Sequence, residues 1–249
     1  MGSDRKTPDH RARALQRLPR RDRRGEARLP AVLATLAAML LYLVLPEQLL
    51  FVPRFVLPGL ELLLLIPLIA VNPRRMTRQN HFSRIVSLTL VALIGISNLV
   101  SLGLLVHAMV TDKAQEGGPL LIAALQVWAT GIIVFGLAFW ELDRGGPVAR
   151  TQAARSDLPL ADFRFSQDEN DDAVEEVADG SSRTSDWAPT LMDYLYVSVT
   201  NSTAFSPTDT MPLSPQAKAL MAIESIAALH KVVVDPDAVK QARTYAKDL

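Results

Sequence analysis

The chain of 249 residues contains no cysteine. This absence excludes disulfide bonds, thiolate metal sites and cysteine nucleophiles. Histidine is scarce, and the four histidines, His10, His81, His107 and His230, are scattered along the chain. The sequence also lacks the G-x-S-x-G and H-E-x-x-H motifs and a glycine-rich phosphate loop. We therefore expect no enzyme activity, no cofactor and no metal site.

The chain has no net charge either, because 26 Lys and Arg residues balance 26 Asp and Glu residues. The two signs are separated into a basic segment at residues 1–28 and a polar, acidic segment at residues 142–187. We interpret the first as a cytoplasmic tail, and we do not expect nucleic acid as a partner because the tail has no interleaved aromatic residues. The acidic string QDENDDAVEEVADG lacks the EF-hand spacing, so we predict a disordered acidic loop.

Long apolar blocks are present between Leu29 and Trp140, and they are apolar nearly all round instead of along one stripe. Helices satisfy their own backbone hydrogen bonds in lipid, which isolated strands do not. We therefore predict an all-α, polytopic bundle of about five to six transmembrane helices with the lipid bilayer as its solvent. Four spans fall within the region 29–141, at residues 29–45, 55–71, 85–110 and 119–140.

Basic residues set the predicted orientation. They are concentrated in the N-terminal tail and in the loop that contains Arg74, Arg75, Arg78 and Arg84, which predicts a cytoplasmic N-terminus. Glu61 lies inside the second apolar block. We interpret it as an acid at the outer interface, with a role in transport as the alternative.

Residues 188–234 form a more polar membrane module, followed by a soluble tail at residues 235–249. The charge count predicts that residues 189–205 cross as a fifth span and residues 217–234 as a sixth. Re-entry of residues 189–205 from one face of the membrane is the alternative. In the tail, Asp235 is a candidate cap for a short soluble helix.

The C-terminal module resembles the pore module of two-span potassium-type ion channels. Such modules have an aspartate and aromatic residues opening a short pore helix, a Ser/Thr-rich run, a filter ending in aspartate, a turn with proline and an inner helix with a glutamate. The corresponding residues are Asp193, Tyr194, Tyr196, Ser198, Thr200, Ser202, Thr203, Asp209, Pro212 and Glu224. The resemblance implies an ion or small solute as ligand and a homo-oligomer as the assembly.

Polar residues inside a membrane segment are costly and usually face a cavity or a partner. On this ground, together with the channel resemblance, we predict that six residues of the module line a pathway: Asp193, Asn201, Ser202, Thr203, Asp209 and Glu224. The segment Thr203–Asp209 contains no glycine, whereas the carbonyl-lined potassium filter needs glycine conformations. The filter is therefore degenerate, and we expect no potassium selectivity.

Two strings, WELDRGGP and DYLYVSVTNSTAFSPTDTMPLS, resemble an uncharacterised family of bacterial multi-span membrane proteins that is known only as a domain of unknown function. This resemblance implies a location in the bacterial inner membrane and no particular reaction. From the sequence we expect a channel-like or transport-related membrane protein. The alternative is a membrane-anchored structural protein that recruits partners through its acidic loop or basic tail.

Overall fold

The computed structural model describes residues 24–111, 117–169, 174–183, 185–203 and 210–233. Most of the basic tail, the filter-like residues 204–209 and the C-terminal tail lie outside these ranges, and so does part of the acidic loop. The described residues form eight α-helices and two small antiparallel β-ribbons. The prediction of an all-α fold is thus confirmed for the helices, with the two ribbons as additions.

Each of the four predicted apolar blocks forms a helix. Helix α1 is Leu29–Leu43, α2 is Val56–Val71, α3 is His81–Val110 and α4 is Gly117–Leu142. Among the described residues, two segments, His81–Met109 and Gly118–Gly145, are long and apolar enough to cross a membrane, each with a mean hydropathy of 2.2. Helices α1 and α2 are apolar too but have only 15 and 16 residues, or about 22 to 24 Å of rise.

Polar contacts tie together one end of this bundle, which we call the basal end. Helices α1 and α3 begin there, and α2 and α4 finish there. Strand β1 (Glu26–Ala27) pairs with β2 (Arg75–Met76), which joins the start of α1 to the chain between α2 and α3. Arg84 Nη1 donates to the Gly145 carbonyl at 2.6 Å, which joins the start of α3 to the chain after α4.

The segment after α4 is ordered at its described positions, so the prediction of a disordered loop over 142–187 is wrong for residues 143–169. It contains α5 (Pro147–Gln152) and β3 (Phe163–Phe165), and α6 (Glu175–Ala178) follows. Phe163 and Phe165 are both buried, because alternate side chains of a strand point to the same face. A three-residue strand is too short to give a detectable period in an otherwise polar sequence.

Helix α7 (Leu191–Ser202) begins at the basal end and stops inside the bundle. Its first amide, Leu191 N–H, donates to Glu26 Oε1 at 2.7 Å. Its 12 residues rise about 18 Å, well short of the roughly 30 Å of a bilayer core. After α7 the chain reaches β4 (Thr210–Pro212), which pairs with β3 back at the basal end. The start of α7, and strand β4 that follows the predicted fifth span, therefore lie at the same end of the bundle.

Helix α8 (Pro215–Val233) starts at the basal end and runs along α4 away from it. Its early residues, Ala217 and Met221, join the core around Phe135. Later residues, Ala227 and Ala228, line a cavity together with Val127. The 19 residues of α8 rise about 28 Å.

The bundle places apolar side chains outside and polar ones inside. Large aliphatic side chains that are more than half exposed occur on α1, α2, α3, α4 and α8: Leu33, Leu40, Leu63, Ile66, Ile96, Leu121, Ile122, Leu125 and Ile226. Buried polar side chains face the interior: Thr35, Glu61, Ser97, Asn98, Ser101, Thr130, Ser198 and Glu224. Glu61, expected at an interface, is 2% exposed, because the packing of α2 against α3 turns it inward.

Gly136 is the point of closest approach between α4 and α7. A Cβ at this position would lie 2.7 Å from Leu195 Cδ2 and 3.2 Å from Leu195 Cα. We expect Gly136→Ala to lower the free energy of unfolding by about 1 to 3 kcal/mol, because the α7 backbone must shift. Thermal unfolding of the purified protein measures this. Gly103→Ala is the matched control, since a Cβ there has no neighbour within 4 Å among the described residues, and an equal loss in both variants would contradict the account.

Candidate functional site

A buried polar network holds the first turn of α7 against the end of α4. Asp143 is 0% exposed. Its Oδ1 accepts from the backbone N–H of Asp162 at 2.7 Å, and its Oδ2 accepts from the Tyr194 hydroxyl. The guanidinium of Arg150 lies 4.9 Å from the centre of the Tyr194 ring. The side chains of α4, α5 and α7 thus share one network of charges and hydrogen bonds.

Glu26 completes this network from β1. Its Oε2 accepts from Trp140 Nε1 at 2.9 Å and lies 3.8 Å from Arg150 Nη2, while its Oε1 accepts from Leu191 N–H. Burial raises the pKa of Glu26, and the nearby Arg150 and the hydrogen bond from Leu191 act in the opposite direction. A negatively charged carboxylate is also stabilised by the positive end of the dipole at a helix N-terminus, so Glu26 helps to fix where α7 starts.

Deeper in the bundle, α7 meets α8 at four polar residues that we call the Glu224 cluster: Ser198, Asn201, Glu224 and Ser225. Glu224 is 2% exposed. Ser198 Oγ donates to Glu224 Oε1, and Asn201 Nδ2 donates to Glu224 Oε2 at 2.6 Å. Ser225 Oγ donates to Asn201 Oδ1 at 3.0 Å. Ser198 and Asn201 lie three residues apart, which places them on one face of α7.

The contacts of Glu224 are all with neutral groups. Its carboxyl is hydrogen-bonded by Ser198 and Asn201, and no basic side chain in the described part of the chain forms an ion pair with it. A lone ionised carboxylate in an apolar interior is costly. The cluster therefore favours a proton or a small cation at this position.

A cavity lies beside the Glu224 cluster, between α3, α4, α7 and α8. Its walls include Asn98, Gly131, Ser202 and Glu224, together with apolar side chains such as Phe135. The space open to the centre of a water-sized sphere is about 30 Å³, which is room for a few water molecules at most. The α7 terminus thus abuts a small cavity that has a carboxyl group in its wall.

The structure brings together three of the six predicted pathway residues: Asn201, Ser202 and Glu224. Asp193 lies in the first turn of α7, where its carboxylate accepts from the Thr190 N–H at 2.7 Å and caps the helix. Thr203 is exposed, and its hydroxyl donates to the Val199 carbonyl at 2.8 Å. Asp209 lies outside the described residues.

Ser198, Tyr42 and Asn98 were not among the predicted pathway residues. Ser198 could have been found from its spacing to Asn201, since both must share a helix face. Asn98 and Tyr42 belong to apolar blocks, and their inward direction depends on the packing of the bundle. Within the described residues no group of three or more His, Asp or Glu side chains is placed to hold a metal ion.

The described part of the acidic loop has a structural role. Asp168 accepts from Arg144 Nη2 at 2.6 Å, from Ser182 Oγ at 2.6 Å and from Phe165 N–H at 3.1 Å. These contacts hold the loop on the basal end. They give Asp168 partners within the chain.

Comparison with known proteins adds no relative: no family model, no curated protein and no solved structure matches the chain. The channel-like and uncharacterised-family resemblances therefore rest on the short strings of residues quoted above. What can be said about the site comes from its geometry.

The Glu224 cluster makes a prediction about stability. Asn201→Leu removes the donor to both Glu224 Oε2 and the Met221 carbonyl, and leaves a buried carboxyl with one partner fewer. We expect it to lower the free energy of unfolding by about 2 kcal/mol. Thr203→Val serves as the control because Thr203 is exposed and bonded only within its own helix turn. Thermal unfolding compares the two, and a larger loss for Thr203→Val would contradict the assignment.

Proposed function

We propose that the protein is an integral membrane protein in which α1 to α4 and α8 cross the bilayer and α7 re-enters from the basal end. The outward-facing aliphatic side chains and the inward-facing polar ones support this proposal. Exposed aliphatic surface on five helices is unfavourable in water, whereas lipid covers it without cost. The described lengths of α3 and α4 suit a full crossing.

We propose further that the protein conducts or transports a small solute along a path that passes the Glu224 cluster. The observation that carries this proposal is a half-helix: α7 enters from the basal end and stops within the bundle beside the buried Glu224. Non-helical backbone at membrane depth is tolerated where it is buried in protein or lines a cavity. Broken or half-length helices that end near the bilayer centre are typical of ion and substrate sites in transporters.

The chemistry of the site favours a cation over an anion. The carbonyl end of α7 carries the negative pole of the helix dipole, and it points toward the cavity beside Glu224. The Glu224 carboxyl and the side-chain oxygen of Ser202 add further oxygen ligands. We therefore propose a proton or a small monovalent cation as the transported species.

The order of elements, α4 then α7 then α8, supports the resemblance to a channel pore module, in which a pore helix lies between two spans. Two features differ from a potassium channel. The filter-like segment has no glycine, and the Glu224 cavity is lined by four helices, α3, α4, α7 and α8. In our proposal one subunit contains its own path, and the homo-oligomer implied by the channel resemblance is not required for it.

The basal end faces the cytoplasm in this proposal. Arg28, Arg74, Arg75, Arg78 and Arg84 all lie at or beside it, and basic residues in short loops are retained on the cytoplasmic side. Helix α7 then re-enters from the cytoplasm. In a bacterial cell the corresponding location is the inner membrane.

Flux measurements on reconstituted vesicles test the proposed function. We expect vesicles that contain the protein to dissipate a proton, sodium or potassium gradient faster than protein-free vesicles. Glu224→Gln should reduce this flux toward that of protein-free vesicles, because it removes the titratable carboxyl while keeping the shape of the side chain. The matched control is Glu176→Gln, which removes an exposed carboxyl on α6 and should leave the flux unchanged. Parent flux equal to that of empty vesicles for all three cations would overturn the proposal.

A further inference from the structure

A further buried carboxyl, Glu61, lies outside the Glu224 cluster. Glu61 belongs to the first half of α2, near the end of the bundle that is far from the basal end. Glu61 is 2% exposed. Tyr42 of α1 is also buried, and it lines the same cavity as Glu61. The function proposed above does not use either residue.

Glu61 and Tyr42 line a small cavity among the first four helices, with apolar side chains such as Leu45 and Ile94 in its wall. The remaining polar wall consists of Ser97, Asn98 and Ser101 from α3 and Thr130 from α4. The space open to the centre of a water-sized sphere is about 10 Å³, which is room for about one water molecule. Six oxygen-bearing or amide side chains thus surround a volume that fits one water-sized species.

Two of these polar groups lack a partner. Among the described residues, no group is placed to hydrogen-bond with the buried Oε2 of Glu61 or with the buried hydroxyl of Tyr42. Buried polar groups in proteins are nearly always bonded to protein or to ordered water. An acid and a hydroxyl without a protein partner, beside one water-sized cavity, favour a water molecule or another small hydrogen-bonding species there.

The charged surroundings of Glu61 offer no neutralising partner. Tyr42 is the titratable side chain that faces the cavity from α1, while the lining residues of α3 and α4 are all uncharged. Arg54, in the loop before α2, donates to the Leu43 carbonyl and lies 3.7 Å from Glu47. An ionised carboxylate without an ionic partner is costly in an apolar interior. The site therefore favours a bound proton or a small cation at Glu61.

Asn98 lines both the cavity beside Glu61 and the cavity beside Glu224. Val127 also lines both cavities. Asn98 lies near the middle of α3. Of its two neighbours on α4, Thr130 lines the Glu61 cavity and Gly131 lines the Glu224 cavity. Asn98 is thus a polar side chain that the walls of both cavities share.

We propose that Glu61 is a second proton-exchanging site on the same path and that the transported species is the proton. This inference rests on the proposed function and identifies its substrate. A hydronium ion in the cavity transfers a proton to the Glu61 carboxylate: one O–H bond of the hydronium breaks as the carboxyl O–H bond forms, and water is left. The reverse step regenerates hydronium, and no redox partner is needed. A cavity with room for one water molecule suits proton exchange better than a hydrated alkali cation.

Carbodiimide labelling tests the state of Glu61 without any measurement of flux. A hydrophobic carbodiimide adds the O–H of a protonated carboxyl across its N=C bond, and mass spectrometry of peptides locates the acylurea product. We expect an adduct at Glu61 in the full-length protein, formed more slowly as the pH rises and not prevented by sodium ions. Glu61→Gln should lose this adduct, while Glu224→Gln should keep it. Absence of the adduct at every pH, or protection by sodium, would overturn the assignment of a proton site.

Proton flux into vesicles then separates the two proposals. We expect Glu61→Gln to reduce proton flux to the level of protein-free vesicles. Glu47→Gln is the matched control, since Glu47 is an exposed acid at the same end of the bundle. If Glu224→Gln abolishes flux and Glu61→Gln leaves it at the parent level, the Glu224 path stands and Glu61 is not part of it. If the parent protein carries no flux although Glu61 is labelled, transport itself is wrong and only a proton-binding site remains.

Discussion

The position of α7 depends on charges that are buried where it meets the end of α4. Asp143 has no exposure to solvent, and it accepts hydrogen bonds from the backbone of Asp162 and from Tyr194. Removing one partner from such a buried network is strongly destabilising. The buried network therefore holds α7 in place, and α7 in turn supplies Tyr194 to the network. Once Tyr194 is fixed, helical spacing places Ser198 and Asn201 on the same face, and that face meets Glu224.

The interior of the bundle differs from the core of a water-soluble protein. Its helices expose leucine and isoleucine at many positions and bury Glu61, Asn98 and Glu224 beside small cavities. In lipid such an arrangement leaves the expensive groups in contact with small cavities and not with hydrocarbon chains. In our proposal a narrow path for a proton passes the end of α7, Glu224, Asn98 and Glu61. The exposed aliphatic side chains and the buried polar ones thus both support the proposed membrane protein with an internal path.

The sequence predicted the four long helices well, because runs of apolar residues carry the signal locally. It placed a helix within residues 189–205 but did not show that the chain turns back, because the return depends on Phe165 pairing with Thr210, 45 positions later. Glu61 was expected at an interface from its closeness to Arg54 in sequence, whereas its direction is set by packing between α2 and α3. Asn201 and Glu224 were singled out because polar groups within apolar segments are costly, and Ser202 because of the channel resemblance.

The most direct test of the central claim is to determine on which side of the membrane the chain lies before and after α7. Because the chain has no cysteine, single substitutions Ser185→Cys, Met211→Cys and Gln48→Cys, all at exposed positions, can be labelled with a membrane-impermeant maleimide in intact and permeabilised cells. The account predicts that positions 185 and 211 react from the same side of the membrane and position 48 from the other. Labelling of 185 and 211 from opposite sides would mean that α7 crosses the bilayer, and the re-entrant path past Glu224 would be wrong.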